Sequence, residues 1–530
     1  MMYDVAIVGF GPTGAVLAGL LGQQGLRVWV CDQAIEVYEK PRAIALDHEI
    51  MRVFQQLGLL EALTPFVEPF TNSEFYGVDG QLIKCMSAVE PPYPMTFSPS
   101  MVFSQPNFER VLRQRVQNLP SVQVNLGTRV LGLQPINEVG SEVEVTLTVA
   151  QTDGAEHHGQ MGELHQVQAR YVVGCDGASS LVRQSVGIEL EDLDFDEPWL
   201  VVDVLVNEQG LAKLPKVSVQ YCEPERPSTY LIVTRNHRRW ELSINPGEDP
   251  KQVATPEGTW KLLSRWLQPH EGTLWRQASY RFHALVAERF RRGRVFLAGD
   301  AAHQQPPFLG QGMCQGVRDA VNLSWKLGAV LNGQASTALL DTYSQERKAH
   351  VKELTSRIKG IGQLVGERNL DKARDRDRRL LAECGGVVKP MPRQNVQPAL
   401  AYGCLDPAAS AGTGTLFPQA WLKQLRMDDL WGCGWRVVLS ADASADFARL
   451  LAQLAYSWIK TMKLGVEDAI EADGVMAAWL QAHSCHAALV RPDHYVFGTS
   501  PTATQLHGQL EHLSRFVVQL DQLKETQHAT

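Results

Sequence analysis

The chain has 530 residues, of which 44% are hydrophobic and 20% charged, a composition of globular proteins with room for roughly two to four domains. Its 50 basic and 58 acidic residues leave a net charge of −8, which argues against nucleic acid or an anionic membrane as the main partner, because both demand clustered Lys and Arg. No window offers the roughly 18 apolar residues of a membrane-spanning helix.

The N-terminus lacks the basic start and small-residue cleavage site of a signal peptide. It reads instead as an opening βαβ unit: an apolar run Tyr3–Val8, a helical pattern from Gly11 to Gln24, and a second run Arg27–Cys31 closed by Asp32. Gly9-Phe10-Gly11-Pro12-Thr13-Gly14 lies between the first strand and the helix. Its glycines allow a tight turn, close approach of a pyrophosphate, and close helix–strand packing. The helix start offers free N–H groups to phosphate. Asp32, 18 residues after Gly14, stands where an acid accepts ribose hydroxyls, with Gln33 beside it.

Val122–Thr148 and Trp199–Asn245 alternate β-branched and aromatic residues, and the second reads as a separate, substrate-facing sheet. Ala169–Cys175 is a buried strand ending in Asp176-Gly177. Arg294–Ala298 is another, ending in Gly299-Asp300, then Pro306-Pro307 and Gly310-Gln311-Gly312-Met313. Asp300 thus sits at a strand's C-terminal edge, and the Gly310–Gly312 turn presents N–H groups at a helix start that can stabilise negative charge. Helices are predicted over Gly312–Leu331 and Asp341–Ile358. The alternating charges of Lys372–Arg379 suggest a solvated helix end or linker. A Pro- and Gly-rich stretch, Val388–Gly414, precedes a C-terminal region large enough for its own domain. Nine scattered cysteines without CxxC predict reduced thiols, no disulfide, no metal site, and a cytoplasmic protein.

These three motifs, in this order and separation, resemble those of the group A flavoprotein aromatic hydroxylases, the p-hydroxybenzoate hydroxylase fold. The resemblance covers roughly the first 360 residues. Arg42–Asp47, Arg238-Arg239-Trp240-Glu241 before Pro246-Gly247-Glu248, Gly414–Pro418 and Arg491-Pro492-Asp493 are similar to the 3-(3-hydroxyphenyl)propionate hydroxylases in particular. The fold class it implies is α/β: a Rossmann-like FAD-binding domain, an inserted β-sheet substrate domain, and a C-terminal thioredoxin-like domain without CxxC. FAD-binding segments are expected at 1–75, 101–185 and 286–360. Substrate segments are expected at 76–100 and 186–285, a linker at 361–395, and the C-terminal domain at 396–530.

By the same resemblance, FAD is held by Gly9, Gly11, Pro12, Thr13, Gly14, Asp32, Gln33, Arg42, Gln105, Asp176, Gly299, Asp300, Pro306, Gly310, Gly312 and Met313. NADH or NADPH binds transiently, since no second GxGxxG is present. Oxygen carried as a hydroperoxide at flavin C4a hydroxylates a phenolic ring, ortho to its hydroxyl, on a monocyclic substrate with a short acidic side chain. Asp47 and His48 are the candidate base, against the reading of a helix-capping pair; the subfamily's corresponding pair is two acids, so His48 is a departure. Arg226 either binds a substrate carboxylate or pins the middle sheet. His303 is expected to orient its loop, and Trp325 to lie in the core. The expected partners are a small aromatic substrate, O₂ and NAD(P)H, with a homodimer left open. Alternatives are a hydroxylase of polycyclic polyketides, a halogenase (disfavoured, because W-x-W-x-I-P is absent), and a catalytically vestigial flavin-binding interaction protein.

Overall fold

The computed structural model describes residues 2–134, 145–152, 162–454 and 456–517. Part of the alternating stretch Val122–Thr148 and the last residues of the expected C-terminal domain therefore lie outside the described residues.

The first strand, Met2–Val8, is central to a parallel array. It pairs with Val28–Asp32 on one side and Leu164–Gly174 on the other; Val122–Leu126 and Val295–Leu297 extend the array outward. Val5, Ala6 and Ile7 are fully buried, as a strand covered on both faces requires. The helix Pro12–Gln23 packs against the long helix Gly312–Leu331. The chain leaves each of three central strands at the same edge: at Gly9, at Asp176 and at Gly299.

The second sheet has nine strands, including Leu190–Val206, His237–Ser243, Ser228–Ile232, Ser218–Tyr221 and Gly272–Ala287. Strands from outside the inserted segment complete it: Ser73–Tyr76, Leu82–Ser87, and the two-residue strands His303–Gln304 and Met391–Pro392. One face carries Trp240, Tyr230 and Leu242 against the helix Pro256–Leu263. The other carries Trp199, Val201 and Phe282 toward Phe308 and the helix Ala338–Gly366. Trp199 and Trp240 are fully buried on these opposite faces, and burying a large apolar side chain contributes about 1.5–3 kcal/mol.

Two sequence expectations need correction. The helix expected over Asp341–Ile358 runs from Ala338 to Gly366. The charge-alternating Lys372–Arg379 belongs to a helix, Leu370–Glu383, that is solvated on one face, as expected, but anchored on the other. Its Arg376 and Asp377 are buried: Arg376 donates to the Cys222 carbonyl, and Asp377 accepts from the Val78 N–H.

The C-terminal unit holds a four-stranded sheet in which Arg436–Leu439 pairs in parallel with Lys460–Lys463 and antiparallel with Ala487–Val490. Val496–Ser500 then pairs antiparallel with Ala487–Val490, giving the mixed strand order of a thioredoxin-like core.

Candidate active site

The dinucleotide turn has the packing that its glycines permit. Gly9 has φ +102°, and a Cβ there would lie 2.3 Å from the Cys175 carbonyl oxygen. A Cβ on Gly14 would lie 2.0 Å from the Gly9 oxygen. Gly11 borders open space and, with Pro12 and Thr13, lines a large cavity. The Asp32 carboxylate accepts from the N–H groups of Phe10 and Ala34, both at 2.8 Å, so it shapes the turn; Gln33 is exposed beside it. Gln105 Oε1 accepts from the backbone N–H groups of Arg42 and Ala43 at 2.8 and 2.6 Å, fixing the segment that borders the cavity.

Arg113, a residue that the motifs did not single out, lies 4.0 Å from Asp32 with its guanidinium over the Phe10 ring. Its Nε and Nη1 are buried without a hydrogen-bond partner. Unpaired buried donors are rare and call for an explanation. Here they stand beside the Gly9–Gly14 turn and Asp32, a donor set that fits the pyrophosphate and ribose portion of FAD.

The other two loops are tied together. Asp176 accepts from Ser180 Oγ at 2.6 Å and from the Val182 N–H at 3.1 Å, and so braces the start of a short helix that Ser180 caps. Its neighbours Cys175, Gly177 and Ala178 line the cavity. Arg183 donates to the Ala178 and Ala301 carbonyls, both at 2.9 Å, linking this loop to the Gly299-Asp300 loop. Gly299, at φ +63°, turns Asp300 toward the cavity, where the residue is exposed. Behind this loop, Asp319 accepts from the Gly299 N–H at 2.9 Å, His303 Nε2 at 2.7 Å and Arg347 Nε at 2.7 Å. Burial opposes its ionisation, but His303 and Arg347 hold its pKa below the usual carboxylate range. His303 therefore orients the loop. Gly310, Gly312 and Met313 line the cavity, with Pro307 rather than Pro306, and Gly312 opens a 20-residue helix whose first N–H groups are free.

The cavity, of about 440 Å³, continues from these loops to the second sheet. Leu231, Phe282 and Phe308 give it apolar walls, while Gln220, Thr229 and Glu241 form a polar patch. Burial pushes the Glu241 carboxyl up to about 7. Arg393 enters from the 393–396 segment, donates to the Leu309 carbonyl at 2.8 Å and stacks on Phe70 at 4.2 Å. Burial lowers its pKa to about 10.

Asp47 and His48 do not line this cavity. They border a smaller one of about 180 Å³, separated from it by the 309–312 turn, whose residues line one or the other. Asp47 caps the helix His48–Gln56 through the Ile50 N–H and pairs with Arg318. The Arg318 guanidinium also holds Glu49 at 2.5 Å. Burial, with Arg318 and Arg52 nearby, lowers the His48 pKa to about 4, so the imidazole is neutral and a poor proton acceptor at neutral pH. Arg226 also lies outside the cavity lining. It forks onto Glu248 at 2.5 and 2.9 Å and donates to the Ser243 carbonyl, pinning the sheet. Trp325 is buried in the core and donates to Asp493 at 3.0 Å.

Asp428, Cys433 and His494 come together in the C-terminal unit. Asp428 is already bound by Arg52 at 2.5 Å, and Arg436 donates to His494 Nδ1 at 2.7 Å. Two buried guanidinium groups make this an ion-pair cluster hostile to a cation. All nine cysteines are free thiols.

Residues 2–358 match the family described as FAD binding domain. The chain belongs to the FAD-binding aromatic hydroxylases. Residues 414–515 of this hydroxylase match the HcaD C-terminal domain. It is 35% identical over 523 residues to a Rhodococcus jostii (strain RHA1) protein named "Probable NADH-specific resorcinol 4-hydroxylase", covering 96% of this chain and 94% of that one. A 3-(3-hydroxy-phenyl)propionate/3-hydroxycinnamic acid hydroxylase of Burkholderia cenocepacia (strain HI2424) is 30% identical over 530 residues, covering 94% of each chain. Among solved structures, the flavin-dependent monooxygenase PieE, with FAD and substrate, superposes with a TM-score of 0.78 at 21% identity, covering 97% of this chain and 99% of that one. Aklavinone-11 hydroxylase, with FAD and aklavinone, gives 0.77 at 24% identity, covering 96% and 98%. These two show the fold. No helix among the described residues is long and apolar enough to cross a membrane.

FAD bound here would supply the redox and oxygen chemistry. The Gly9–Gly14 turn would hold its phosphates, Arg183 ties the flanking loops together, and the Gly312 helix start would offer it N–H groups.

Proposed function

We propose that this hydroxylase uses NADH and O₂ to hydroxylate a monocyclic phenol with a short acidic side chain, ortho to its hydroxyl. Arg393 carries this reading. Its guanidinium lines the cavity, and its one hydrogen bond among the described residues, to the Leu309 carbonyl, leaves donors for a carboxylate. The relative that acts on 3-(3-hydroxyphenyl)propionate supports the same substrate class, and the name of the Rhodococcus relative supports NADH as reductant. A second reading, resorcinol as substrate, is favoured by the 35% identity to that relative. Both substrates are phenols with a meta substituent, so one experiment separates them. Stimulation of NADH and NADPH oxidation by each phenol is measured together with product mass. The first reading expects coupled hydroxylation of 3-(3-hydroxyphenyl)propionate with NADH, and an R393M variant whose KM rises for that acid alone. Coupled turnover of resorcinol alone replaces it with the second reading. Hydroxylation of polycyclic phenols alone defeats both.

A further inference from the structure

Two carboxylates are buried on the cavity-side face of the second sheet, and their surroundings differ. Asp203 is saturated: His237 Nε2 reaches it at 2.7 Å, Arg239 grips it at 2.7 and 3.0 Å, and Arg276 lies at 3.7 Å. Glu241 is two residues along from Arg239 on the same strand face. It is 3% exposed and has no hydrogen-bond or ion-pair partner among the described residues, yet it lines the cavity. A buried carboxylate left unpaired is costly to the fold. A ligand that hydrogen-bonds to it explains why the sequence keeps it.

The strand register places it in a row. Glu241 is opposite Thr229, and Thr229 is opposite Gln220, so the three side chains stand abreast on adjacent strands. Thr229 Oγ1 donates to Gln220 Oε1 at 2.5 Å, which fixes both side chains. Leu231, Phe282 and Phe308 line the same cavity, so this polar row borders apolar side chains. That combination suits an aromatic ring carrying a hydroxyl.

We propose that Glu241 is the proton acceptor for the substrate hydroxyl. This rests on the phenol reading above. The step is a proton transfer. The substrate O–H bond breaks, its proton goes to a Glu241 carboxylate oxygen, and the electron pair stays on the phenol oxygen, where it raises electron density at the ortho and para carbons. When the hydroxylated ring regains aromaticity, the hydrogen displaced from its carbon leaves as a proton and one proton returns to the original phenol oxygen; the incoming hydroxyl keeps its own, and the proton held by Glu241 goes to the second oxygen atom, which leaves as water.

The carboxyl titrates where a base for neutral pH should, because burial outweighs the opposing charge of Arg239, while Asp203 pushes the same way as burial. From the other cavity walls, Arg42, Cys175, Tyr280, Arg281, His283, Asp300 and Arg393 are the titratable or charged groups facing this space.

The test uses the FAD-loaded full chain and E241Q. Infrared difference spectra are recorded with and without 3-(3-hydroxyphenyl)propionate or resorcinol, alongside the pH profile of kcat/KM. We expect a carboxyl band in wild type that titrates near pH 7 and shifts on adding the phenol, and is absent from E241Q. E241Q should keep its flavin and bind the phenol within a few-fold, lose the pH limb near neutrality, and hydroxylate about 10²–10⁴-fold more slowly. E241D, which keeps the carboxyl but shortens its reach, should fall between. A wild-type rate and pH profile in E241Q overturns the assignment and leaves the phenol reading intact. So does a wild-type carboxyl band that ignores the phenol, which needs no variant. A wild-type enzyme that hydroxylates no phenol overturns the phenol reading, and the proton acceptor with it.

Discussion

The Tyr495 hydroxyl donates a 3.0 Å hydrogen bond to the Glu49 carboxylate, joining the C-terminal unit to the helix that follows the cofactor-bordering segment. Glu49 is also held by Arg318, which holds Asp47. The same interface contains Arg52 bound to Asp428, and Arg491 bound to Glu346 at 2.7 Å. The C-terminal unit is therefore wired to the catalytic body by buried charge, which needs strict pairing.

Asp428→Ala tests that wiring. It leaves Arg52 and Arg436 buried without their carboxylate, and breaking one side of such a cluster costs about 3–5 kcal/mol. Burial opposes ionisation of Asp428, but Arg52 and its neighbours depress its pKa strongly. An acid depressed in this way stabilises the fold at any pH above the unfolded value, near 3.9, and loses that contribution as pH falls through the folded one. Melting temperature should drop in the variant at neutral and mildly acidic pH, with the gap closing only in strong acid. Equal melting curves at pH 7 would contradict this.

Arg113→Met tests whether the unpaired guanidinium donors beside Asp32 bind the cofactor. Charge-assisted hydrogen bonds contribute about 1.5–3 kcal/mol each. The variant should therefore bind FAD about 10- to 100-fold more weakly, measured by quenching of flavin fluorescence, while its apo form melts no lower than wild type. Undiminished affinity would make Arg113 a packing residue.

His48→Ala should leave hydroxylation rate and coupling within about twofold. The imidazole lies outside the large cavity, is neutral, and has an unpaired Nδ1. The readout is product formed per NADH consumed. A fall of 10²-fold or more would return His48 to the role of base.

Glu241→Gln should stabilise the apo protein in a pH-dependent way. The folded pKa is raised from 4.5 to about 7, so the folded state holds the proton more tightly than the unfolded chain. The cost of ionising Glu241 is absent below the unfolded pKa, grows through the interval, and is complete above about 7. At about 1.4 kcal/mol per unit, the gain in the variant is on the order of 3 kcal/mol at pH 8 and small at pH 5. Melting curves at the two pH values decide it; a gain no larger at pH 8 than at pH 5 would refute it.

The parallel strands and the three loop motifs were legible because each is a contiguous signal: an apolar run, a glycine turn, an acid at a strand end. Glu241 and Thr229 were not, although Glu241 belongs to the Arg238-Arg239-Trp240-Glu241 stretch that carries part of the family resemblance. Their meaning depends on register between strands and on which face meets the cavity. Arg113 was hidden because on one helix it is only another charge; its neighbours Asp32 and Phe10 come from a different part of the chain. Asp47 and His48 misled for the converse reason. Arg318, 271 residues from Asp47, claims the carboxylate, and a linear reading cannot foresee such a competitor. The helix Leu370–Glu383 looked solvated because two buried charges, Arg376 and Asp377, read like their exposed neighbours.

Arg52 has a bearing on how the chain matures during synthesis. Its guanidinium is fully buried, and its hydrogen bonds go to Phe417 and Asp428, 365 and 376 residues later. At roughly 5–20 residues per second, a ribosome needs on the order of 20–75 seconds to supply those partners. Throughout that interval the nascent flavin domain carries a cation without its carboxylate, so its final closure waits for the segment that holds Phe417 and Asp428.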